Sequence, residues 1–309
     1  MNGTTKPPLF LVFSFPKCAT TSLDVSLRAH PELCLPQNCK EIYFPSPPSP
    51  WDQDWFEGHF SPTESHSLFG EVTTETFFHD RARTWLLETY PDAKIIVLLR
   101  DPIERMTSHY FHALRRGYIK GSIAEALEMD DSLEIGNDPT LSFRGIGDLY
   151  KPSIEWLQAN ISSAQIHFAL FEELMGDPNT VRRIECFLGV SPSGGALASE
   201  NRRRLPRSQL VSSATTAFYQ ITQRLTTLTR PIFPRALRDI LGRQRFRMTK
   251  AVRSLEEANM SPVDQKTLVD VDSETYNRMA NHYNKTLSGL DQLMGKDLNA
   301  YWPWFQPRS

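Results

Sequence analysis

The chain has 309 residues, of which 40% are hydrophobic and 23% charged, a balance typical of a globular protein with a substantial core. Its 34 Lys and Arg residues and 36 Asp and Glu residues give a formal net charge of −2, so no overall positive field indicates a nucleic-acid partner or an anionic membrane surface. The composition excludes a collagen-like, coiled-coil or wholly disordered chain. Four cysteines are too few for a disulfide framework and lack the paired spacing of a zinc site, so we predict reduced thiols and no metal.

The first predicted strand, Leu9–Phe15, is a nearly continuous apolar run that ends at Pro16 and Lys17. Such a run is typical of a strand that is covered on both faces. It is too short to span a bilayer, and no small-residue cleavage site follows it. No other uncharged apolar stretch has spanning length, so we predict no membrane span and a cytoplasmic location. The next predicted element is a helix over Thr20–Ala29.

Strands and helices alternate from there to about residue 190. Ala93–Leu99 is the strongest strand signal, and Asp101 and Pro102 after it are a helix N-cap and a proline at the first helical position. Gly189 is predicted to end the last helix of this series. The other predicted elements are strands at Phe69–Thr73 and Gln165–Phe171 and helices at Arg81–Tyr90, Ile103–Arg116 and Asn179–Leu188. This alternation predicts an α/β fold in which helices flank a central parallel sheet.

The sequence changes character beyond residue 190. Residues 191–213 are polar and carry four arginines, and the rest of the chain is charged and mainly helical in pattern. We therefore predict a single domain, 1–309, with a core at 9–190, a basic loop at 191–213 and a helical C-terminal extension at 214–309.

The junction between the first strand and the first helix has the features of an anion site. Its sequence is SFPKCATTSL, in which Lys17 precedes three hydroxyl residues at the helix start, Thr20, Thr21 and Ser22. Backbone N–H groups and the helix dipole attract phosphate or sulfate there, and hydroxyls donate further hydrogen bonds. The loop is not a Walker A loop, in which the lysine stands directly before the hydroxyl. Taken alone, the junction fits equally well a lysine on a solvated turn before an ordinary N-cap.

A second candidate anion site lies at the end of the strongest strand. Arg100 follows that strand directly, so its side chain is expected at the same edge of the sheet as the first loop. Arg105 and Ser108 are three residues apart on the next helix and share a face. A guanidinium and a nearby hydroxyl suit a phosphate. In isolation, the pattern more often reflects a surface ion pair, here between Arg100 and Asp101 or Glu104.

In this order and separation, the two motifs resemble those of the sulfotransferases that use 3′-phosphoadenylyl sulfate (PAPS). PKCATTSL is similar to the family's 5′-phosphosulfate loop, usually written PKxGTTxL, and LLRDPIERMTSHY is similar to its 3′-phosphate motif. Further agreement lies in KEIYF at 40–44, Gly147 with Tyr150, FEEL at 171–174 and PRS at 206–208. The resemblance covers most of the chain and is nearest to bacterial members and the heparan sulfate sulfotransferase branch. It implies a P-loop-like, three-layer α/β/α fold.

The resemblance also implies a role for each matching residue. Lys17 is expected to neutralise charge on the bridging oxygen as the sulfuryl group leaves, and Glu41 to act as base on the acceptor hydroxyl. Arg100 and Ser108 are expected to hold the 3′-phosphate, which distinguishes PAPS from ATP. The residues expected to surround the 5′-phosphosulfate are Lys17, Cys18, Ala19, Thr20, Thr21 and Ser22. A basic loop over the nucleotide is expected from the cluster Arg202, Arg203, Arg204 and Arg207, with Arg203 and Arg207 as the predicted contacts.

Several assignments stay open at this level. Ser14 and Ala19 replace the usual glycines of the first loop, and an alanine at position 19 is strained if its φ is positive. Cys18 is either a reactive thiol at a helix N-terminus or simply a residue small enough for the turn. Glu41 is either the base or an ordinary partner of Lys40. The rival bases are His79, His109 and His112, for each of which a core or surface role is more common.

The predicted function is transfer of a sulfuryl group from PAPS to a hydroxyl or amine, without a metal and with adenosine 3′,5′-bisphosphate (PAP) as product. The loops Phe44–His66 and Gly117–Gly145 are not strongly basic, so a neutral glycan, a glycolipid or a small metabolite is the expected acceptor. One alternative is a nucleotide kinase or other phosphoryl transferase, which shares the parallel sheet but has a Walker A loop. Another is a non-catalytic nucleotide-binding protein of the same fold, favoured only by Ser14 and Ala19.

Overall fold

The computed structural model describes residues 8–37, 39–42, 52–74, 80–116, 121–132, 142–193 and 271–307, with isolated positions and two short strands elsewhere. The chain divides into two compact units. The first unit comprises Met1–Thr107, Asp130–Asn201 and Ser273–Ser309, and the second comprises Ser108–Met129 and Arg202–Asp272. The boundaries at 190 and 213 that the sequence suggests stay a prediction.

The first unit is built on a five-stranded parallel sheet with the order β2-β3-β1-β4-β5. Its strands are β1 (Leu9–Ser14), β2 (Leu33–Cys34), β3 (Leu68–Thr73), β4 (Lys94–Leu99) and β5 (Ile166–Leu170). The central strand is β1, in which Leu11 lies opposite Glu71 of β3 and Ile95 of β4. Because the strands are parallel, the chain must return from the carboxyl end of one strand to the amino end of the next, usually through a helix.

The helices are α1 (Thr20–Arg28), α2 (Gln53–Glu57), α3 (Asp80–Thr89), α4 (Pro102–Arg116), α5 (Ile123–Ser132), α6 (Gly145–Asp148), α7 (Tyr150–Asn160), α8 (Phe171–Gly176), α9 (Asn179–Leu188), α10 (Ser273–Thr286) and α11 (Leu290–Met294). The second unit contains an antiparallel pair, β6 (Arg204–Pro206) and β7 (Met260–Pro262). None of the helices that the structure describes is long and apolar enough to cross a membrane.

The core confirms the predicted α/β fold with helices on both sides of the sheet. Every residue of β1 is buried, as are all residues of β4 from Ile95 onward, which is the pattern of strands covered on both faces. Gly189 ends α9 with a φ of 81°, the left-handed conformation that the glycine was predicted to supply.

The C-terminal helices pack within the first unit. The Tyr283 hydroxyl on α10 donates to the carbonyl of Arg144 at 3.0 Å, and the Trp304 indole donates to Asp101 at 2.9 Å. Trp302 and Phe305 are almost completely buried beside Trp304. The end of the chain therefore reaches the point where β4 passes into α4.

Candidate functional site

The loop between β1 and α1 contains two residues in the left-handed region. Lys17 has a φ of 77° and Ala19 a φ of 65°, and they are the non-glycine residues with positive φ in the described part of the chain. Each such residue costs roughly 1–2 kcal/mol of strain. Backbone strain of this kind concentrates at ligand sites and active sites. Ala19 therefore adopts the strained conformation that a glycine would adopt freely.

The helix that follows this loop offers an anion-binding end. α1 begins at Thr20, and no side chain caps its N-terminus. Leu23 N–H donates to the carbonyl of Ala19 at 3.1 Å as the first helical bond, so the N–H groups before it have no acceptor within the helix. Thr20 and Ser22 are buried, and Thr21 is half-buried. These N–H groups and the helix dipole favour an anion at this end.

The Cys18 side chain is buried against Tyr150. Its side chain is completely buried, and its Sγ lies 3.8 Å from the Tyr150 hydroxyl. Burial raises the pKa of the Cys18 thiol. A reactive thiolate is therefore disfavoured, and Cys18 has the role of a small buried residue in the turn.

Arg100 connects the two predicted anion motifs. Its Nη1 donates to the carbonyl of Lys17 at 3.2 Å, and its Nη2 donates to Glu104 at 3.2 Å. The guanidinium stacks on the Phe171 ring at 4.2 Å. Arg100 is only 8% exposed, so it is more than the partner of a surface ion pair. Its buried Nε has no hydrogen-bond partner among the described residues.

The junction between β4 and α4 is held by several further contacts. Asp101 Oδ1 accepts hydrogen bonds from the N–H groups of Ile103 at 2.8 Å and Glu104 at 3.3 Å, which confirms the predicted N-cap. The Tyr150 hydroxyl donates to the Arg100 carbonyl at 3.1 Å. Burial raises the pKa of Asp101 to about 7. The backbone on both sides of Arg100 is therefore fixed.

Glu41 is connected to the start of α1 by the side chain of Lys40, which contacts both. Its Oε1 is 2.7 Å from Lys40 Nζ, and its Oε2 accepts from the N–H of Thr74 at 3.1 Å and from the Thr74 hydroxyl at 2.9 Å. Lys40 Nζ also donates to Thr20 Oγ1 at 3.1 Å. The structure thus brings the candidate base and the start of α1 together. Sequence reasoning treated Lys40 only as a partner of Glu41, because its contact with Thr20 joins segments that are separated in the chain.

Glu71 is a second carboxyl of this region that sequence reasoning missed. It is completely buried on β3, and its Oε2 accepts from the Ile42 N–H at 2.9 Å. Its Oε1 has no hydrogen-bond partner among the described residues. Burial raises the pKa of Glu71 to about 8, and the charge of Glu41 also raises it. Glu71 is therefore mostly protonated at pH 7.

The other residues that the sequence suggests for the site fall into the second unit, contact other parts of the chain, or lie outside the described residues. Ser108 is half-buried on α4 and falls in the second unit, as do His109 and His112. Arg105 is completely buried and donates to the carbonyl of Phe143. Arg203, Arg207 and His79 lie outside the described residues. Within the part of the chain that the structure describes, no group of His, Cys, Asp and Glu could hold a metal ion.

Comparisons with known proteins show which proteins this chain is similar to. A family model described as the sulfotransferase family matches residues 52–193. The membrane-associated sulfotransferase kil1 of Dictyostelium discoideum is 32% identical over 111 residues, which are 35% of this chain and only 23% of that protein. The chain therefore matches less than a quarter of this relative's length.

Two solved structures are also similar. A sulfotransferase from Alicyclobacillus acidocaldarius has a TM-score of 0.54 at 24% identity, over 73% of this chain and 97% of that chain, which shows a shared fold. A mouse sulfotransferase, SULT7A1, complexed with PAP has a TM-score of 0.40 at 18% identity, over 60% of this chain and 61% of that chain. That likeness is too distant to transfer its bound nucleotide to this chain.

Proposed function

Because residues 52–193 match a model of the sulfotransferase family, we propose that this protein transfers a sulfuryl group from PAPS to a hydroxyl or amine of an acceptor. The observation that carries the proposal is the contact between the two anion motifs. Arg100, at the end of β4, donates to the carbonyl of Lys17 in the loop after β1. A nucleotide that carries a 5′-phosphosulfate and a 3′-phosphate on one ribose can therefore reach both motifs.

The residues of the loop fit such a donor. Two left-handed residues and an uncapped helix start provide backbone N–H groups for the 5′-phosphosulfate. The buried and unpartnered Nε of Arg100 provides a donor for the 3′-phosphate. Ser108 and the arginines at 203 and 207 are proposed to complete the nucleotide site. Cys18 is proposed to contribute its backbone N–H to the same site, since its side chain is buried.

The chemistry asks little of the protein beyond positioning and charge stabilisation. PAPS supplies the sulfuryl group. Lys17 is proposed to stabilise the negative charge that develops on the leaving oxygen, as cationic groups do in phosphoryl transfer. Glu41 is proposed to accept the acceptor's proton, a role worth roughly 10²–10⁴-fold in rate. It is suited to this because its carboxylate is connected to Thr20 through a single side chain, that of Lys40.

The acceptor is proposed to be a neutral glycan, a glycolipid or a small hydroxylated metabolite, since the loops at 44–66 and 117–145 carry no strong positive charge. The cytoplasmic location stays a prediction. The relative from Dictyostelium discoideum is described as membrane-associated, so membrane association is a second possibility to examine.

The donor site can be tested by calorimetry without knowledge of the acceptor. The purified protein is titrated with PAP and, in parallel, with ATP and Mg²⁺. We expect micromolar binding of PAP and much weaker binding of ATP, because Arg100 and Ser108 would select the 3′-phosphate. Arg100→Ala should weaken PAP binding by about tenfold to a hundredfold, the effect of losing charged hydrogen bonds worth roughly 1.5–3 kcal/mol.

Two variants control this titration. Arg100→Lys keeps the charge but loses the planar fork, so it should bind PAP with intermediate affinity. Arg183→Ala removes a surface arginine of the same unit, paired with Asp177 at 2.7 Å, and should leave PAP binding unchanged. Preference for ATP with Mg²⁺ would favour a phosphoryl transferase. Binding of neither nucleotide would contradict the proposed function.

A further inference from the structure

Lys40 lies between the loop proposed to hold the donor and the carboxylate proposed to receive the acceptor's proton. Its Nζ is 2.7 Å from Glu41 Oε1 and 3.1 Å from Thr20 Oγ1. Thr20 is the first residue of α1, so this ammonium lies at the positive end of a helix. Lys17 belongs to the same loop, half-buried. The Lys40 ammonium and the helix N-terminus together favour an anion at this place.

The hydrogen bonds of Glu41 show which partner Lys40 has when no PAPS is bound. Both carboxylate oxygens are occupied, Oε1 by the ammonium and Oε2 by the N–H and hydroxyl of Thr74. Glu41 is also only 9% exposed. A general base must accept a hydrogen bond from the acceptor hydroxyl. Oε1 is the oxygen that can become free, because its hydrogen-bond donor is the side chain of Lys40, which can move away. Oε2 is held by the backbone N–H of Thr74 as well as by the Thr74 hydroxyl.

We propose that Lys40 is a catalytic residue whose ammonium binds the non-bridging oxygens of the sulfuryl group, and that it leaves Glu41 Oε1 to do so. The inference rests on the proposed function. In the reaction, Glu41 takes the proton of the acceptor O–H, and the acceptor oxygen forms a bond to sulfur. The bond from sulfur to the bridging oxygen breaks, and PAP leaves with its electron pair. Lys40 thereby makes donor binding a precondition for a free base.

The segment that carries Lys40 is anchored for this purpose. The N–H of Ile42 donates to Glu71 Oε2 at 2.9 Å, and Ile42 is buried. Glu71 lies on β3, opposite Leu11 of the strand that leads into the anion loop. The backbone of 40–42 is therefore fixed to the sheet, whereas the Lys40 side chain is 31% exposed and can change partners. Glu71 is in this view a positioning residue.

The test compares the affinities of PAPS and PAP, which differ only in the sulfuryl group. Lys40→Met should weaken PAPS binding about tenfold or more and leave PAP binding within about threefold. Glu41→Gln should strengthen PAPS binding, because the ammonium no longer has to leave a carboxylate. In the Lys40→Met background, Glu41→Gln should have no such effect. This coupling between the two positions is a result that a purely structural lysine would not produce.

Two further variants control for folding and for charge. Lys151→Met removes a lysine with similar exposure, 27%, that lies 3.8 Å from Glu155, and should bind both nucleotides normally. Lys40→Arg keeps the charge and should lose less PAPS affinity than Lys40→Met. Equal losses for PAPS and PAP in Lys40→Met, or no loss for either, would overturn the role of Lys40. Failure of the wild-type protein to bind either nucleotide would instead overturn the proposed function.

Discussion

Two residues of the loop after β1 have a backbone conformation that residues with a side chain disfavour. Lys17 and Ala19 both have positive φ, with one residue between them. The chain passes from the end of β1 at Ser14 to the start of α1 at Thr20 within this loop. A left-handed residue directly before a helix leaves the first N–H groups available for a ligand, and the strain is tolerated because the loop is buried around Cys18.

Replacing Ala19 by glycine tests this strain. Ala19→Gly relieves roughly 1–2 kcal/mol of left-handed strain but loses a buried methyl group worth about 0.8 kcal/mol and some chain entropy. We therefore expect the free energy of unfolding to stay within about 0.5 kcal/mol of the wild-type value. Ala82→Gly removes a similarly buried methyl group from the first turn of α3, where it relieves no left-handed strain, and should cost about 1–2 kcal/mol. Chemical denaturation of both variants measures their free energies of unfolding. Equal losses of this free energy in the two variants would contradict strain at Ala19.

At this scale, the sequence predicts residues whose chemistry lies in a local motif. Lys17, Glu41 and Arg100 are recognisable because the residues next to them complete a pattern. Lys40 and Glu71 are not, because their proposed roles depend on contacts between segments that are distant in the chain, such as that of Lys40 with Thr20. A carboxyl in the middle of a strand pattern also gives no sign of whether it is buried.

At the scale of elements, the junction between β4 and α4 depends on the end of the chain. Asp101 caps α4 through Oδ1 and accepts the Trp304 indole N–H at Oδ2. Asp101 N–H donates to Glu172 at 2.9 Å, at the start of α8. Three separate segments therefore determine where Arg100 is held.

Removing the indole hydrogen bond should loosen the start of α4. Trp304→Phe keeps most of the aromatic packing but leaves Asp101 Oδ2 without its partner. We expect the free energy of the local opening that exposes the Ile103 and Glu104 amides to fall by about 1 kcal/mol. This corresponds to about fivefold faster hydrogen exchange at these amides. Hydrogen exchange followed by mass spectrometry measures this directly. PAP affinity should fall in parallel if the junction positions Arg100.

A packing variant separates this effect from a general loss of stability. Phe305→Leu weakens the same aromatic cluster, in which Phe305 packs against Trp302 and Trp304, without touching Asp101. It should lower the free energy of unfolding but leave exchange at Ile103 and Glu104 no faster than elsewhere. The same exchange pattern in both variants would mean that the cap does not depend on the indole.

The elements differ in how well the sequence predicts them. Buried strands such as β1 and β4 and capped helices such as α4 and α9 have strong local signals, and their observed bounds lie within about one residue of the prediction. β2 has only two residues and forms by pairing with β3, so no periodicity could indicate it.

At the scale of the whole molecule, buried carboxyls make stability depend on pH. Burial raises the pKa of Glu71 to about 8 and that of Asp101 to about 7, far above their ordinary values of 4.5 and 3.8. Between pH 6.5 and 8 the folded protein keeps protons that the unfolded chain has already released. Raising the pH in this window therefore favours unfolding, by at most about 1.4 kcal/mol per pH unit for each group. Below pH 6.5, His167, whose pKa burial lowers to about 4, acts in the opposite direction.

We expect the free energy of unfolding to fall by about 1–2 kcal/mol from pH 6.5 to pH 8. Glu71→Gln should remove most of this fall, because the amide cannot ionise but can still accept the Ile42 N–H. Glu64→Gln, at an exposed carboxylate, should leave the fall unchanged. Denaturant titrations across the window give the slopes. A slope that persists in Glu71→Gln would mean that this carboxyl is not protonated in the folded protein.

The strand order has a consequence for how the chain is made. β1 pairs with β3 on one edge and with β4 on the other, and β4 ends at Leu99, 85 residues after β1 ends at Ser14. At about 5–20 residues per second, a ribosome needs roughly 4–17 s to add that length. During this time LFLVFS is an apolar β-forming segment of the nascent chain with an unpaired edge, the kind of segment that aggregates or binds chaperones. The central strand of the finished sheet is thus the one that waits longest during synthesis for its last neighbour.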